Sequence, residues 1–126
     1  MTDSVERLYE GVIAAHHGDP ARSRTARLLR SGRAKMAKKL AEEAVEVVID
    51  AMNGSRDAVV KESADLLYNL VVLWVAAGVQ PKDVWKEMER RERLFGIAEK
   101  LLKTPADADP RRKVVALDSR RARKRR

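Results

Sequence analysis

Two short acidic clusters carry the residues best suited to chemistry in this 126-residue chain: Glu42-Glu43-Ala44-Val45-Glu46 and, fifteen residues further on, Glu62-Ser63-Ala64-Asp65. Read as helices that advance about 100° per residue, both clusters put acids beside apolar stripes. From Glu62 at 0°, Asp65 falls at about 300°, Asn69 at about 340°, and Leu66 and Leu73 at about 40° and about 20°. From Leu40 at 0°, the apolar face is Leu40, Ala44, Val47 and Ala51. Glu43, Asp50 and Glu46 flank it at about 300°, about 280° and about 240°, while Glu42 at about 200° points to water. An unpaired carboxylate beside a core is costly and is relieved by a cation, a metal or a proton. If the two helices pack antiparallel, Glu43, Glu46, Glu62 and Asp65 converge. Four carboxylates without Cys or His point to a hard divalent cation, Mg²⁺ or alternatively Mn²⁺. Ca²⁺ fits less well, because no loop resembles an EF-hand. Lys35, Lys38 and Lys39 precede the acids by one or two turns and could hold phosphate oxygens. Together these groups are equipment for phosphoryl chemistry. The plainer reading makes Lys39/Glu43 and Lys61/Asp65 ordinary i,i+4 surface pairs; the repeated pattern beside two apolar stripes favours the metal site.

The elements that must position these acids are all helical, and no convincing strand can be placed. Apolar spacing predicts a first helix over residues 4–16, capped by Asp3 or Ser4 and stopped by Gly18-Asp19-Pro20. A short helix or turn follows over 25–30, ended by Ser31-Gly32. A third runs over 34–52 and stops at Asn53-Gly54. Ser55 can cap a fourth that continues to Ala77 and ends at Gly78. Pro81 opens a fifth over 82–103, and Thr104-Pro105 closes the domain. Short connections imply antiparallel neighbours, so the expected fold is an all-α bundle of four to five helices. Residues 66–77 are apolar at eleven of twelve positions, which is too short for a bilayer span of roughly 20 residues. A helix that is apolar all round must be covered on every side. So few helices cannot manage this alone, and a homodimer is expected to complete the bundle.

Composition narrows the rest. The net charge of +8 is concentrated near the end: in residues 106–126, nine Lys or Arg stand against three Asp, so +6 lies there and +2 upstream. The chain therefore reads as a near-neutral domain over 1–104 and a basic, disordered tail over 105–126. Nucleic acid is a partner through that tail if at all, since it holds no aromatic, recognition helix or zinc motif. Zero cysteine excludes disulfides, thiolate metal sites and a Cys nucleophile, and suits a reducing cytoplasm. The N-terminus lacks an apolar signal region, so neither secretion nor a membrane partner is expected. His16 and His17 adjoin a helix end as capping cations. Trp74 and Trp85 read as core or dimer anchors, and Tyr68 as core. The stretch from Glu87 to Arg93 reads as a solvated face of i,i+4 pairs. Asn69, the one polar residue of the apolar run, stands one turn after Asp65 and reads as a substrate-binding residue.

The spacing Glu42-Glu43-x-x-Glu46, then Glu62-x-x-Asp65, resembles the metal motif of the MazG-like all-α nucleotide pyrophosphohydrolases. SRTARLLRSG (23–32), KKLAEEAVEVVIDAMNG (38–54) and ESADLLYNLVVLWVAAGV (62–79) resemble the phosphoribosyl-ATP pyrophosphohydrolase family of histidine biosynthesis, over roughly residues 5–93. The resemblance implies Mg²⁺-dependent hydrolysis of the α–β phosphoanhydride, giving phosphoribosyl-AMP and pyrophosphate. It implies that Glu43, Glu46, Glu62 and Asp65 bind the metal, with Glu42 as an accessory ligand. Glu43 would accept the proton of the attacking water, and Lys38 and Lys39 would stabilise the leaving pyrophosphate. The 23–32 segment, with Thr25 and Arg27, would close over the substrate, and an intertwined dimer is the family's usual state. The chain departs from the family at Ala41, where Gly is usual, at Arg24, where an aromatic is usual, and at Asn69, where His is common. These departures bear on substrate choice, and the alternative is a paralogue acting on another nucleoside triphosphate.

Overall fold

Helix starts in this chain are set by short polar side chains that accept otherwise free amides. The computed structural model describes residues 3–95 and contains, among them, five α-helices and no strand. These are α1 (Ser4–His16), α2 (Arg24–Arg30), α3 (Arg33–Met52), α4 (Arg56–Ala77) and α5 (Pro81–Leu94). Asp3 caps α1 by accepting from the Glu6 amide at 2.7 Å. Ser23 caps α2 from the Ala26 amide at 3.1 Å, and Ser55 caps α4 from the Ala58 amide at 3.4 Å. By contrast α3 starts without such help: its N-cap is Gly32, at φ 97°, which has no side chain to offer. The tail read from the sequence, and the predicted end of α5 near residue 103, lie outside the described residues.

Helix ends are equally local. Gly78 adopts the left-handed conformation after α4, and the Val79 amide bonds back to the Trp74 carbonyl at 2.9 Å. After α3, Gly54 takes φ 73° and the Ser55 amide returns to the Asp50 carbonyl at 3.1 Å. Residues 53–55 are therefore the whole connection between the two longest helices. So short a link forces α3 and α4 antiparallel, and theirs is the most extensive helix pairing among the described residues.

The core sits away from that turn. Val12 of α1, Met36 of α3 and Val71 and Val72 of α4 form the buried cluster, with Leu8, Tyr9, Leu28 and Leu73 packed against it. At the turn end, α3 leaves Val45, Val48, Ile49 and Met52 exposed, Met52 by 82%. These four lie on one face at helical spacing. On α4, Val60 and Leu67 are exposed as well.

Two compact units divide the chain, at Lys86 and Glu87. In the first, Trp74 and Trp85 meet edge to face at 6.3 Å. Within the second, Glu87 accepts from Arg90 Nε at 3.2 Å and from Arg91 Nε at 3.0 Å, an intrahelical pairing of the kind its sequence suggests. The Arg91 hydrogen bond first, and then the Arg90 charge, hold the Glu87 carboxyl below its usual range.

Candidate active site

The height of each acid follows from its distance to Gly54. Glu46 and Glu62 each stand eight residues from that glycine, and Glu43 and Asp65 each stand eleven. An antiparallel hairpin turning at Gly54 brings each pair level, about 12 Å and about 16 Å from the turn at 1.5 Å per residue. The side chains then meet across the helix pair. One carboxylate oxygen each from Glu43, Glu62 and Asp65 lies within 4.8 Å of the others, and a second group of Glu46, Asp50 and Glu62 satisfies the same distance. Glu62 belongs to both groups and stands at their centre.

Electrostatics follow from that crowding. Glu62 Oε2 is shielded from solvent and, with the carboxyl ionised, accepts from no donor among the described residues. Its carboxyl is pushed up from 4.5 to about 7 by the hydrogen bond with Glu43, then by burial, then by the charges of Glu43, Asp65 and Glu46. Protonated, Glu62 donates to Glu43 and relieves part of the repulsion. One positive charge placed there, a proton or a cation, would relieve the crowding. Because every donor is oxygen and several are half-exposed, the set fits a hard divalent cation that keeps waters or phosphate oxygens in its shell.

A cationic cleft of about 200 Å³ lies between α2, α3 and α4. Arg24, Arg27, Lys35 and Lys39 line it, with Leu28, Ser31 and Tyr68 as its remaining walls. Lys39 Nζ stands 3.8 Å from Glu43 Oε2, so it faces both the cleft and the acids. Across the cleft, Tyr68 Oη and Thr25 Oγ1 share a hydrogen bond of 2.6 Å that joins α4 to α2. Arg27 Nη1 donates to the Pro20 carbonyl at 2.7 Å.

A family model for phosphoribosyl-ATP pyrophosphohydrolase matches residues 5–92 of this chain. The chain belongs to that family. It is 65% identical to phosphoribosyl-ATP pyrophosphatase 2 of Bradyrhizobium diazoefficiens, with 99% of each chain covered. It is 61% identical to phosphoribosyl-ATP pyrophosphatase 2 of Rhodopseudomonas palustris, with 100% of each covered. The phosphoribosyl-ATP pyrophosphatase of Gluconobacter oxydans is 53% identical over 76% of this chain and 72% of its own. Membership makes the chain an enzyme, a pyrophosphohydrolase of histidine biosynthesis.

For a phosphoribosyl-ATP pyrophosphohydrolase, the sequence-derived candidates fall into three places. Glu43, Glu46, Glu62 and Asp65 gather at the acidic centre, whereas Glu42 is exposed and in neither carboxylate group. Arg27, Lys35 and Lys39 line the cleft, Thr25 bonds its Tyr68 wall, and Lys38 is exposed and does not line it. Asn69 is 3% exposed; its Nδ2 donates to the Asp65 carbonyl at 2.8 Å, and its Oδ1 has no partner among the described residues. Two residues at the site escaped the sequence reading. Asp50 shares the acidic flank of α3, a signal the wheel already contained. Tyr68, read as core, does pack its ring there, but its hydroxyl reaches Thr25.

Proposed function

We propose that this chain hydrolyses the α–β phosphoanhydride of phosphoribosyl-ATP to phosphoribosyl-AMP and pyrophosphate, with Mg²⁺ as cofactor and Mn²⁺ as an alternative. The observation that carries the reading is the shielded Glu62 oxygen, without a donor when ionised, among four other carboxylates. Glu43, Glu46, Glu62 and Asp65 would hold the cation, with Asp50 beside them and Glu42 acting from outside. When bound, a divalent cation neutralises triphosphate oxygens and lowers the pKa of a water. Glu43 accepts the proton of the attacking water, its oxygens lying on the Glu62 and Asp65 side of α3. Lys39 offers its charge to the leaving pyrophosphate from the cleft, and Lys38 does so from its rim. Thr25, Arg27 and Lys35 hold the substrate. Asn69 acts less directly, through its hydrogen bond to the Asp65 backbone.

The exposed stripe of Val45, Val48, Ile49 and Met52 supports a homodimer as the working form. A contiguous apolar face of this kind is usually an interface, and here it lies on the helix that carries most of the acids. The absence of cysteine agrees with a cytoplasmic setting.

Pyrophosphate release from phosphoribosyl-ATP and from a panel of nucleoside triphosphates, with Mg²⁺, Mn²⁺ and a chelator, tests the reaction. The expected result is release from phosphoribosyl-ATP that stops with the chelator. Release from ordinary triphosphates alone would move the chain to a paralogous substrate, and release from none would end the proposal. For the dimer, sedimentation of the full chain should give two copies, and Val48→Glu with Met52→Glu should give one.

A further inference from the structure

Two hydroxyls meet at the cleft with one proton more than their contact uses. Tyr68 Oη and Thr25 Oγ1 lie 2.6 Å apart, part-buried, and neither has a second hydrogen-bond partner among the described residues. Each hydroxyl brings one O–H and two acceptor lone pairs. One of them donates to the other, and the proton of the acceptor is left over. A part-buried donor without a partner is costly, so what surrounds the pair decides what completes it.

Tyr68 lines the cleft, whereas Thr25 does not. The donor order follows: Thr25 donates to Tyr68, and Tyr68 keeps its own proton for the cleft. Accepting a bond from Thr25 polarises the phenol and strengthens it as a donor. Arg24, Arg27, Lys35 and Lys39 share the lining with Tyr68, and no Asp or Glu does. A cavity of that charge draws an anion, whose oxygens are the acceptors the phenol lacks. Tyr68 and Lys39 stand fourteen and fifteen residues from Gly54, about 21 Å and about 22 Å from the turn. Both are thus level, about one helical turn beyond Glu43 and Asp65. A donor at that height meets the far part of a phosphate chain, away from the phosphorus beside the acids.

Resting on the reaction proposed above, we infer that Tyr68 is a substrate-contacting residue, whose hydroxyl donates to a non-bridging oxygen of the leaving pyrophosphate and is aimed there by Thr25. Lys39 and Tyr68 then divide the work. The ammonium is a point charge on a flexible stem, whereas the phenol is fixed by its ring, packed on the core, and by the bond to Thr25. Thr25 holds substrate by way of Tyr68 and is a positioning residue.

Inorganic pyrophosphate is the probe: its binding to the full chain in Mg²⁺ is measured by calorimetric titration, and its inhibition in phosphoribosyl-ATP turnover. Tyr68→Phe keeps the packed ring and removes only the hydroxyl. It should weaken both by about tenfold, near the lower end of what a hydrogen bond to a charged group contributes. kcat/KM for phosphoribosyl-ATP should fall by a similar factor. Thr25→Val leaves the phenol in place but unaimed, and should cost no more than about threefold; Thr25→Ser should stay within about twofold of the wild type. Inhibition by phosphoribosyl-AMP, which carries no pyrophosphate, should move by less than about twofold in Tyr68→Phe. A bond that only fastened α2 to α4 would be broken equally by Tyr68→Phe and Thr25→Val, so equal losses in the two would overturn the inference. Unchanged pyrophosphate binding in Tyr68→Phe would overturn it as well, as would an equal loss of phosphoribosyl-AMP inhibition. If the wild type turns over phosphoribosyl-ATP while any of these results holds, only the Tyr68 contact fails. If the wild type releases no pyrophosphate from phosphoribosyl-ATP, the reaction fails and the contact with it.

Discussion

The two ends of the α3–α4 hairpin are built from the same helices to opposite specifications. At the end remote from Gly54, Met36, Val71 and Val72 are buried against Val12 of α1, and even the polar Asn69 is enclosed. Toward the turn, the pair carries five carboxylates in two overlapping groups and leaves Val45, Val48, Ile49 and Met52 uncovered. Packing is concentrated in one half and like charge in the other. The separation has a physical reason: five carboxylates inside the packed half would lose hydration that no partner restores. Keeping them near solvent limits that cost, while the packed half holds the helix axes in register.

The sharpest way to divide the two ends is to disarm the acidic one without touching the core. If Glu62 holds the proposed cation, Glu62→Gln should lower turnover by at least about a hundredfold, while urea unfolding stays unaltered or shifts toward greater stability. The converse substitution is Met36→Ala. It should destabilise the fold by about 2–5 kcal/mol in urea titrations and leave turnover per folded molecule within about threefold. A Met36 variant that lost activity while fully folded would erase the distinction between the ends.

A milder perturbation is pH. The Glu62 carboxyl titrates at about 7 in the folded chain against 4.5 for a free glutamate, so the folded state keeps the proton longer. Its contribution to stability is therefore greatest below about 4.5 and is lost as pH rises through about 7. In metal-free protein the unfolding temperature should decline across that window, and added Mg²⁺ should raise it more at pH 7.5 than at pH 5. The smallest effect is expected from Glu42→Gln, a drop in turnover of no more than about threefold. Equal losses from Glu42→Gln and Glu62→Gln in pyrophosphate release would mean that the facing of α3 has been misassigned.

Helix boundaries were legible because their causes are local. Asp3 and Ser55 each accept an amide three residues ahead, and Gly54 and Gly78 each adopt the conformation that a side chain resists; the Ser23 cap of α2 was not read from the sequence. The meeting of Glu43, Glu62 and Asp65 was legible too, since it needs only two periodicities and one short turn. Asp50 stood at about 280° on the same wheel, between Glu43 and Glu46, and was passed over because the paired spacing selects four acids and not five. The Tyr68–Thr25 bond had no comparable signal. Its geometry depends on how the seven-residue α2 lies against α4, which no periodicity in so short a helix encodes.

The three-residue link at Asn53-Gly54-Ser55 has a consequence for how the chain can change length. Every acid on α3 is matched to α4 by counting outward from that link, so one residue gained or lost there would slide α4 by about 1.5 Å and turn it by about 100° relative to α3. Glu62 and Asp65 would leave their partners in one step, with no residue of the site altered. Insertions in the segment between α1 and α2 carry no such penalty, because no acid is indexed across it. The hairpin link is thus the place where a silent-looking insertion would be most damaging.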